Sequence, residues 1–277
     1  MTSVTERRSI VLNKTTTRNP RPAGTVRSVA RALAILSAFD PERPELGVTE
    51  LANRTGLPKS VVHLLASTLY QAGFLDRNPF TGRYRIGLKA FEVGSLYLRG
   101  NLLEREALPV LQTLVTTYGC NGYLGILDRG EVVYLAIVEN PGPLRIHVQV
   151  GSRTYAHTTA LGKALLASLP PETLDAWLST HSLPALTPRT ITDPERLRAD
   201  LAEVRRRGYS LALDENIPGI GAVGAALRDR SGEAVAAISL AFLSHLVDEA
   251  GIEAMGRAVK DAAAAISVRL GAGSTPR

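Results

Sequence analysis

Cysteine, aromatic residues and long apolar runs are all scarce in this chain of 277 residues. The single cysteine, Cys120, excludes an internal disulfide, which is typical of a protein kept in a reducing compartment. No window offers the roughly 18 consecutive apolar residues of a membrane-spanning helix, and the N-terminus lacks the apolar segment of a signal peptide. These absences predict a cytoplasmic protein that does not associate with membranes.

Motifs for metal binding and covalent catalysis are also missing. The chain has five histidines: His63, His147, His157, His181 and His245. None of them is spaced as H-x-x-x-H, and one cysteine cannot make a C-x-x-C pair. G-x-S-x-G is absent, and Cys120 is predicted to be a buried structural thiol. We expect His157 to be structural or at the edge of a pocket, and we expect no metal and no cofactor.

Positive charge is concentrated in the first 100 residues. They contain 15 Lys+Arg against 7 Asp+Glu, or +8, which leaves 17 against 19, or −2, for the other 177 residues. A basic first third joined to a nearly neutral remainder indicates that the first third meets a polyanion. A solvated basic surface would give the same count, so charge alone leaves both interpretations open.

The residue pattern of the basic first third changes near residue 25. Residues 1–24 are rich in Thr, Arg and Pro without apolar periodicity, which predicts a disordered basic arm. After it, Val29, Ala32, Leu33 and Leu36 recur at helical spacing and predict an amphipathic helix, which the prolines and glycine of DPERPELG end.

The next segment, VTELANRTGLPKSVVHLL, has the organisation of a helix-turn-helix. Thr49 is predicted to cap a short helix, Gly56 to bend the chain, and Pro58 to open a second helix. On that second helix Val62 and its apolar partners at helical spacing form one face, and polar residues form the other. An αα-hairpin that serves packing alone would show the same pattern, so the basic charge is what favours DNA binding.

Two short strands with arginines follow the second helix. FLDRNPFTGRYRIG predicts a β-hairpin around a turn that contains Pro79 and Gly82, and its arginines are suited to contact phosphates. We therefore predict a winged helix-turn-helix domain over residues 25–87. The residues predicted to contact DNA are Thr49, Lys59, Ser60, Val61, His63, Arg77, Arg83 and Arg85.

The remainder of the chain predicts a second domain of a different class. A linker helix is expected over residues 88–102, an effector-binding domain over 103–271 and a short tail over 272–277. GYLGILDRGEVVYLAIVEN reads as a hairpin and residues 143–151 as a third strand, and three further strands and a final helix follow three helices. Hairpins on both sides of a helical insert predict an antiparallel sheet with helices on its faces, so the fold class is α+β.

These segments, taken in order, resemble the IclR family of bacterial transcription regulators from Val26 to about Gly271. The resemblance is carried by SVARALAILSAF, TELANRTGLPKSVVHLL, RYRIGLKAFEVG, AHTTALGKALLASLPPE, RRRGYSLALDEN and GIGAV. Val61 and Leu64 depart from it, because the family commonly has Thr and Arg there. The resemblance implies a GAF-like effector-binding domain and a dimer or a dimer of dimers.

The resemblance also implies where a small-molecule effector would bind. The implied positions are Pro143, Ile146, Thr154, Ala160, Leu161, Ala212, Ile220, Ala222, Ser239 and Ala241. Family members often carry an acid at the position of Ala212 and a cysteine at that of Ala222, and both positions are apolar here. Backbone N–H groups near Ala160 could hold a carboxylate at a helix N-terminus. We therefore expect a small organic acid with an apolar or aromatic body, although these alanines could also simply pack a core.

One stretch, GIGAVG at Gly219 to Gly224, matches the G-x-G-x-x-G pattern of dinucleotide-binding proteins. Such a motif must leave a strand and open a helix, whereas here a turn at Ser231 and Gly232 follows too soon. We therefore interpret it as the small-residue wall of a cavity. The chain as a whole is predicted to be a repressor of a catabolic operon that binds double-stranded operator DNA and a small organic acid. The alternatives are an architectural DNA-binding protein without effector and, less favoured, an enzyme.

Overall fold

A computed structural model describes residues 26–40, 42–98, 102–142, 146 and 148–273. The predicted basic arm, Pro143 and the last residues of the predicted tail lie outside these ranges. The chain divides into two compact units, and the division falls between Ser95 and Leu96.

The first unit consists of helices and a two-stranded antiparallel sheet. Its helices are α1 (Arg27–Leu36), α2 (Val48–Thr55) and α3 (Lys59–Gln71), and its strands are β1 (Leu75–Arg77) and β2 (Tyr84–Ile86). Leu46 extends this sheet, because its N–H and C=O both bond to the backbone of Tyr84, at 2.8 and 2.9 Å. Ile35, Leu51 and Val62 form the centre of the core that joins the three helices.

The turn between α2 and α3 has the predicted form, but the start of α2 does not. Gly56 ends α2 in the left-handed conformation, with φ of 67°, and Pro58 immediately precedes α3. Thr49 was predicted to cap α2, and this is wrong because Thr49 lies inside the helix and Gly47 occupies the cap position. The cap interaction comes from Glu50, whose Oε2 accepts the N–H of Gly47 at 2.8 Å.

Helix α4 (Leu88–Leu98) lies where the linker helix was predicted, and it leaves large apolar side chains exposed. Leu88 is 72% exposed and Phe91 is 70% exposed. Helix α1 does the same with Val29 and Leu33, whereas Ile35 is its buried residue. Nothing in the described part of the first unit covers these side chains.

The second unit is a six-stranded antiparallel sheet with helices on both faces. Its strands are β3 (Asn121–Asp128), β4 (Glu131–Val138), β5 (Arg153–Tyr155), β6 (Ser210–Leu213), β7 (Ile220–Arg228) and β8 (Ala234–Leu243). Its helices are α5 (Leu102–Tyr118), α6 (Ala160–Ala167), α7 (Pro171–Thr180), α8 (Pro194–Arg207) and α9 (Glu249–Arg269). The α+β class predicted from hairpins around a helical insert is confirmed.

The strands lie in the order β5-β4-β3-β8-β7-β6, with every neighbouring pair antiparallel. One face packs against α5 and α9 through side chains such as Leu124 and Ile238. The other face, which carries Tyr123 and Ala237, packs against α6 and its neighbours. The third strand predicted at residues 143–151 is wrong for its described residues, 146 and 148–151, because none of them is in a strand and β5 follows later.

In the stretch Gly219 to Gly224, the first residue precedes β7 and the other five form the first half of that strand. The stretch is therefore not a turn between a strand and a helix. Gly219 adopts φ of 82° at the turn before the strand, a conformation that other residues rarely adopt. Gly224 lies under the first residue of α6, since a Cβ on Gly224 would be 3.0 Å from the carbonyl carbon and oxygen of Ala160. The match to a nucleotide-binding motif is therefore coincidental, and its last glycine permits close packing of a helix on the sheet.

Candidate functional site

The N-terminal half of α3 presents the predicted base-reading residues to solvent. Lys59, Ser60 and His63 are exposed and Val61 is half-buried, while Val62 on the opposite side is fully buried. Leu64, at a position where the resemblance leads one to expect arginine, is 68% exposed. The helix therefore offers short polar groups and one cation near its start, and an apolar contact further along.

The three wing arginines all have partners within the first unit. The Nη2 of Arg83 donates to Glu50 Oε1 at 2.7 Å, which ties the wing to α2. Arg85 bonds to Asp76 with Nη2 at 2.5 Å, and Arg77 donates from Nε to the carbonyl of Gly82 at 3.0 Å. The Arg85 guanidinium lowers the pKa of Asp76, and the Gly47 N–H followed by Arg83 lowers that of Glu50. These bonds shape the wing, and the carboxylates of Glu50 and Asp76 partly offset the charges that Arg83 and Arg85 could offer to phosphates.

Phe80 stands at the tip of the wing with 96% of its surface exposed, and sequence reasoning did not select it. The turn beneath it is held by Asn78, whose Oδ1 accepts the N–H groups of Phe80 and Thr81 at 2.9 and 3.2 Å. An aromatic ring held out on an ordered turn is unusual for a solvated loop. Its only sequence signal was its place between the turn residues Pro79 and Gly82.

A cavity of about 490 Å³, a volume that includes open solvent at its mouth, lies in the second unit between α6 and the sheet. Eight of the ten predicted effector positions line it: Ile146, Ala160, Leu161, Ala212, Ile220, Ala222, Ser239 and Ala241. Pro143 lies outside the described residues. Thr154 does not line the cavity, but its hydroxyl is 3.4 Å from Oδ1 of Asn216, which does.

Small side chains in register across neighbouring strands create the floor of this cavity. Ala212, Ala222 and Ala241 stand directly opposite one another on β6, β7 and β8. Gly224 and Ser239 form the next paired row on the same face, two residues forward on β7 and two residues back on β8. Larger side chains at these positions would fill the space, so truncated side chains rather than a gap between strands make the cavity.

The N-terminus of α6 forms one polar end of the cavity. Thr159 caps the helix by accepting the N–H of Gly162 at 3.1 Å, and its carbonyl accepts the N–H of Lys163 at 2.9 Å. The N–H groups of Ala160 and Leu161 find no acceptor in the described part of the chain. Two free donors and the positive end of the helix dipole therefore meet at the cavity wall.

The loop between β6 and β7, residues 214–219, closes one side of the cavity with Asn216 and Ile217. Hydroxyls hold its backbone, because Thr187 donates to the Asp214 carbonyl and Thr190 to the Glu215 carbonyl, each at 2.6 Å. Asn216 Oδ1 lies 3.1 Å from the hydroxyl of Thr158, another lining residue. Sequence reasoning missed Thr158 and Asn216, although both belong to motifs it singled out, AHTTALGK and LALDEN.

Two tyrosines line the cavity on the side away from that loop. Tyr123 and Tyr134 meet edge to face, with ring centroids 5.7 Å apart and an interplanar angle of 63°. The hydroxyl of Tyr123 is buried beside the Asn121 side chain, and it has no partner at hydrogen-bond distance within the described ranges. Burial raises the pKa of Tyr123 to about 12 and also raises that of Tyr134, so both phenols stay protonated near neutral pH. No pattern in the sequence marks either tyrosine as part of a site.

A buried ionic cluster lies one helical turn beyond Ala160. Lys163 is fully buried, and its Nζ lies 2.6 Å from Glu215 Oε1 and 3.0 Å from Asp200 Oδ2. Burial raises the pKa of Glu215, and the charge of Lys163 opposes that rise. Lys163 belongs to the segment AHTTALGKALLASLPPE, and its function as the ionic link between α6, α8 and the 214–219 loop was not predicted from the sequence.

Two further residues behave as the sequence indicates. The Cys120 thiol is buried, and burial raises its pKa to about 12, which suits an inert structural residue. His157 is buried next to the cavity-lining Thr158, with Nε2 3.1 Å from the carbonyl oxygen of Pro184, and burial lowers its pKa.

Within the described residues no three His, Cys, Asp or Glu side chains are grouped as a metal site would need. No helix in those ranges has the length and apolar character to cross a membrane.

Both units match protein families. Residues 28–79 match the IclR helix-turn-helix domain, and residues 96–268 match the family described as bacterial transcriptional regulator IclR C-terminal. The HTH-type transcriptional regulator XynR of Escherichia coli strain K12 is 34% identical over 246 residues, which cover 89% of this chain and 98% of the relative. The transcriptional repressor IclR of the same strain is 32% identical over 229 residues, covering 82% and 84%.

A solved structure is similar along almost its whole length. It is the crystal structure of an IclR homolog complexed with 4-hydroxybenzoate from Microbacterium hydrocarbonoxydans, with a TM-score of 0.78 and 27% identity. The similarity covers 88% of this chain and 98% of that one. Family, relatives and structure thus agree on both units and on their order along the chain.

Proposed function

Because the chain belongs to the IclR family of DNA-binding bacterial transcriptional regulators, we propose that it is a repressor of a catabolic operon that responds to a small organic acid. The observation that carries the effector part is the cavity over Ala212, Ala222 and Ala241, with the free N–H groups of Ala160 and Leu161 at one end. Repression is supported by the name of a relative, the transcriptional repressor IclR.

An acid fits this cavity better than a cation or a neutral polar molecule. A carboxylate can accept hydrogen bonds from the two N–H groups at the start of α6, where the helix dipole favours negative charge. The charge of Lys163 is already matched by Glu215 and Asp200, so it does not supply the positive end. The alanine floor and the two tyrosines suit an apolar or aromatic body, and 4-hydroxybenzoate in the similar homolog is an acid of that kind.

DNA binding is assigned to the exposed half of α3 and to the wing. Lys59, Ser60 and His63 would enter the major groove, and the backbone would be held by the wing arginines and by Thr49 at the start of α2. A palindromic operator needs two recognition helices about 34 Å apart, so the acting form is at least a homodimer. The exposed apolar side chains of α1 and α4, among them Leu33 and Phe91, support self-association.

The effector changes DNA affinity only if it binds one arrangement of the DNA-reading domains more tightly than another. The test is therefore a pair of measurements on the full chain. Thermal shift against benzoate, 4-hydroxybenzoate, phenylacetate and short aliphatic acids identifies a ligand. Fluorescence anisotropy with the DNA next to the chain's own gene then measures operator affinity with and without it.

We expect at least one acid to raise the melting temperature and to weaken operator binding. Operator binding that no acid changes would favour the architectural alternative, and turnover of a bound acid would favour an enzyme. Sedimentation of the free chain should show a dimer or larger species, and Phe91→Glu should shift it toward the monomer.

A further inference from the structure

The cavity has two polar ends, and a carboxylate accounts for one of them. The first end is the start of α6, with the free N–H groups of Ala160 and Leu161. The second is the hydroxyl of Tyr123, which lines the same cavity from β3. A simple aliphatic or aromatic acid would satisfy the first end and leave the second without a partner.

The register of the sheet shows which strands carry these two ends. Ala160 packs on Gly224, since a Cβ there would lie 3.0 Å from the Ala160 carbonyl group. Gly224 on β7 is opposite Ser239 on β8, and Ser239 is opposite Tyr123 on β3. Neighbouring strands lie about 4.8 Å apart, so the backbones of Gly224 and Tyr123 are separated by roughly 10 Å. The two ends therefore belong to elements over β7 and β3, with β8 between them.

The ring of Tyr123 is fixed by packing, and its hydroxyl is available to a ligand. Only 4% of the residue is exposed, its ring is fixed edge to face against Tyr134, and its hydroxyl has the Asn121 side chain beside it but no partner at hydrogen-bond distance in the described part of the chain. Buried hydroxyls normally form a hydrogen bond, because losing water without a replacement is unfavourable. A phenylalanine would pack this site at least as well if packing were its only purpose.

We propose that Tyr123 recognises a second polar group of the effector, which is then a carboxylic acid with a hydroxyl or carbonyl oxygen at the end remote from its carboxylate. This proposal rests on the proposed function, because it assumes that the cavity binds an acid. It goes further in assigning a specificity-determining residue and in selecting one class among organic acids. Ser239, between the two ends in the same row, offers a hydroxyl to the middle of such a molecule.

The test compares two acids that differ by one hydroxyl, benzoate and 4-hydroxybenzoate, by calorimetric titration of the full chain. We expect the wild-type chain to bind 4-hydroxybenzoate about tenfold more tightly, because an unpaired buried donor penalises benzoate. Tyr123→Phe should bring the ratio of the two dissociation constants close to one without weakening benzoate. Tyr209→Phe is the matched control, since the Tyr209 ring packs beneath the Arg207 guanidinium outside this cavity and should leave the ratio unchanged.

The position of the hydroxyl provides a measurement that needs no variant. On the wild-type chain, 2-hydroxybenzoate places its hydroxyl beside the carboxylate, so the tenfold gain of 4-hydroxybenzoate should be absent. An equal ratio in the wild type and Tyr123→Phe, or an equal gain from 2-hydroxybenzoate, would overturn the assignment of Tyr123 while the acid-sensing function stands. A wild-type chain that binds none of the acids would overturn both.

Discussion

The Lys163 ammonium lies 2.6 Å from the Glu215 carboxylate, and both residues are buried beside the cavity. Lys163 also donates to the carbonyl of Leu211 at 3.3 Å and lies 3.0 Å from Asp200. It therefore joins the helix that offers the carboxylate-binding end to the loop that closes the cavity. Buried charges are costly to desolvate, and the ammonium of Lys163 compensates part of this cost by pairing with both carboxylates.

Lys163→Met should destabilise the second unit strongly. Methionine has a similar length, but it leaves Glu215 and Asp200 as uncompensated charges, so we expect the free energy of unfolding to fall by about 3–5 kcal/mol. Denaturant titration of the full chain measures this, and the double variant Lys163→Met/Glu215→Gln should recover part of the loss. Lys89→Met, which breaks the half-exposed Lys89–Glu92 pair, is the control and should cost about 0.5 kcal/mol or less. A similar small loss for Lys163→Met would contradict the cluster's structural importance.

Stability should also depend on pH through His157. Burial lowers its pKa below the ordinary value of 6.5, so the folded chain keeps the ring neutral while the unfolded chain takes up a proton. The contribution of His157 to stability is thus complete above pH 6.5 and is lost as the pH falls towards the folded-state pKa. His157→Gln, whose amide can still donate to Pro184, should lose less melting temperature than the wild type between about pH 7 and about pH 5. The exposed His245→Gln is the control, and equal pH curves for His157→Gln and the wild type would refute this origin.

The alanine row predicts that the cavity can be filled by a single substitution. Ala222→Trp should abolish the melting-temperature shift caused by acids, because an indole occupies the space above the floor. Operator affinity without ligand should change by less than about twofold, since DNA contacts are assigned to the other unit. Ala222→Ser, which adds one atom, should keep the response. A preserved response in Ala222→Trp would mean that the effector binds elsewhere.

DNA contacts should appear as a change in salt dependence. Lys59 has no ion-pair partner among the described residues and stands at the start of α3, so Lys59→Ala should reduce the slope of log affinity against log salt by about one. Arg85→Ala should weaken binding less than Lys59→Ala, because Arg85 already pairs with Asp76. Arg206→Ala, a change on the surface of the second unit, should leave the slope unaltered. An unchanged slope for Lys59→Ala would remove α3 from the interface.

The elements could be predicted from the sequence wherever one short signal decides the local structure. The hairpin between β3 and β4 was predicted from GYLGILDRGEVVYLAIVEN, and Arg129 and Gly130 of that segment adopt the positive φ values that such turns need. The start of α2 could not be predicted in the same way, since Thr49 and Gly47 are both acceptable caps. The position of Glu50, fixed in part by Arg83 from the wing, distinguishes them only in three dimensions.

Part of the site could also be predicted from the sequence. The alanines and Ser239 follow from the resemblance to a family, and strand alternation then places them on one face. Tyr123 and the Lys163–Glu215 pair have no such signal, because their partners are 11 and 52 positions away along the chain. An alternating strand looks the same whether its tyrosine packs a core or points its hydroxyl at an empty space.

The close approach of Gly224 and Ala160 separates what must stay constant in this cavity from what is free to vary. The helix start rests on bare backbone and is fastened by the Ser210 hydroxyl, which donates to the Ala160 carbonyl at 2.6 Å, so the place for a carboxylate is anchored. The volume of the rest of the cavity depends on individual side chains of its floor. The backbone hydrogen bonds of the sheet do not depend on which side chains these are. Such an arrangement allows ligand preference to diverge by point mutation at the floor without altering strand register or the anchor.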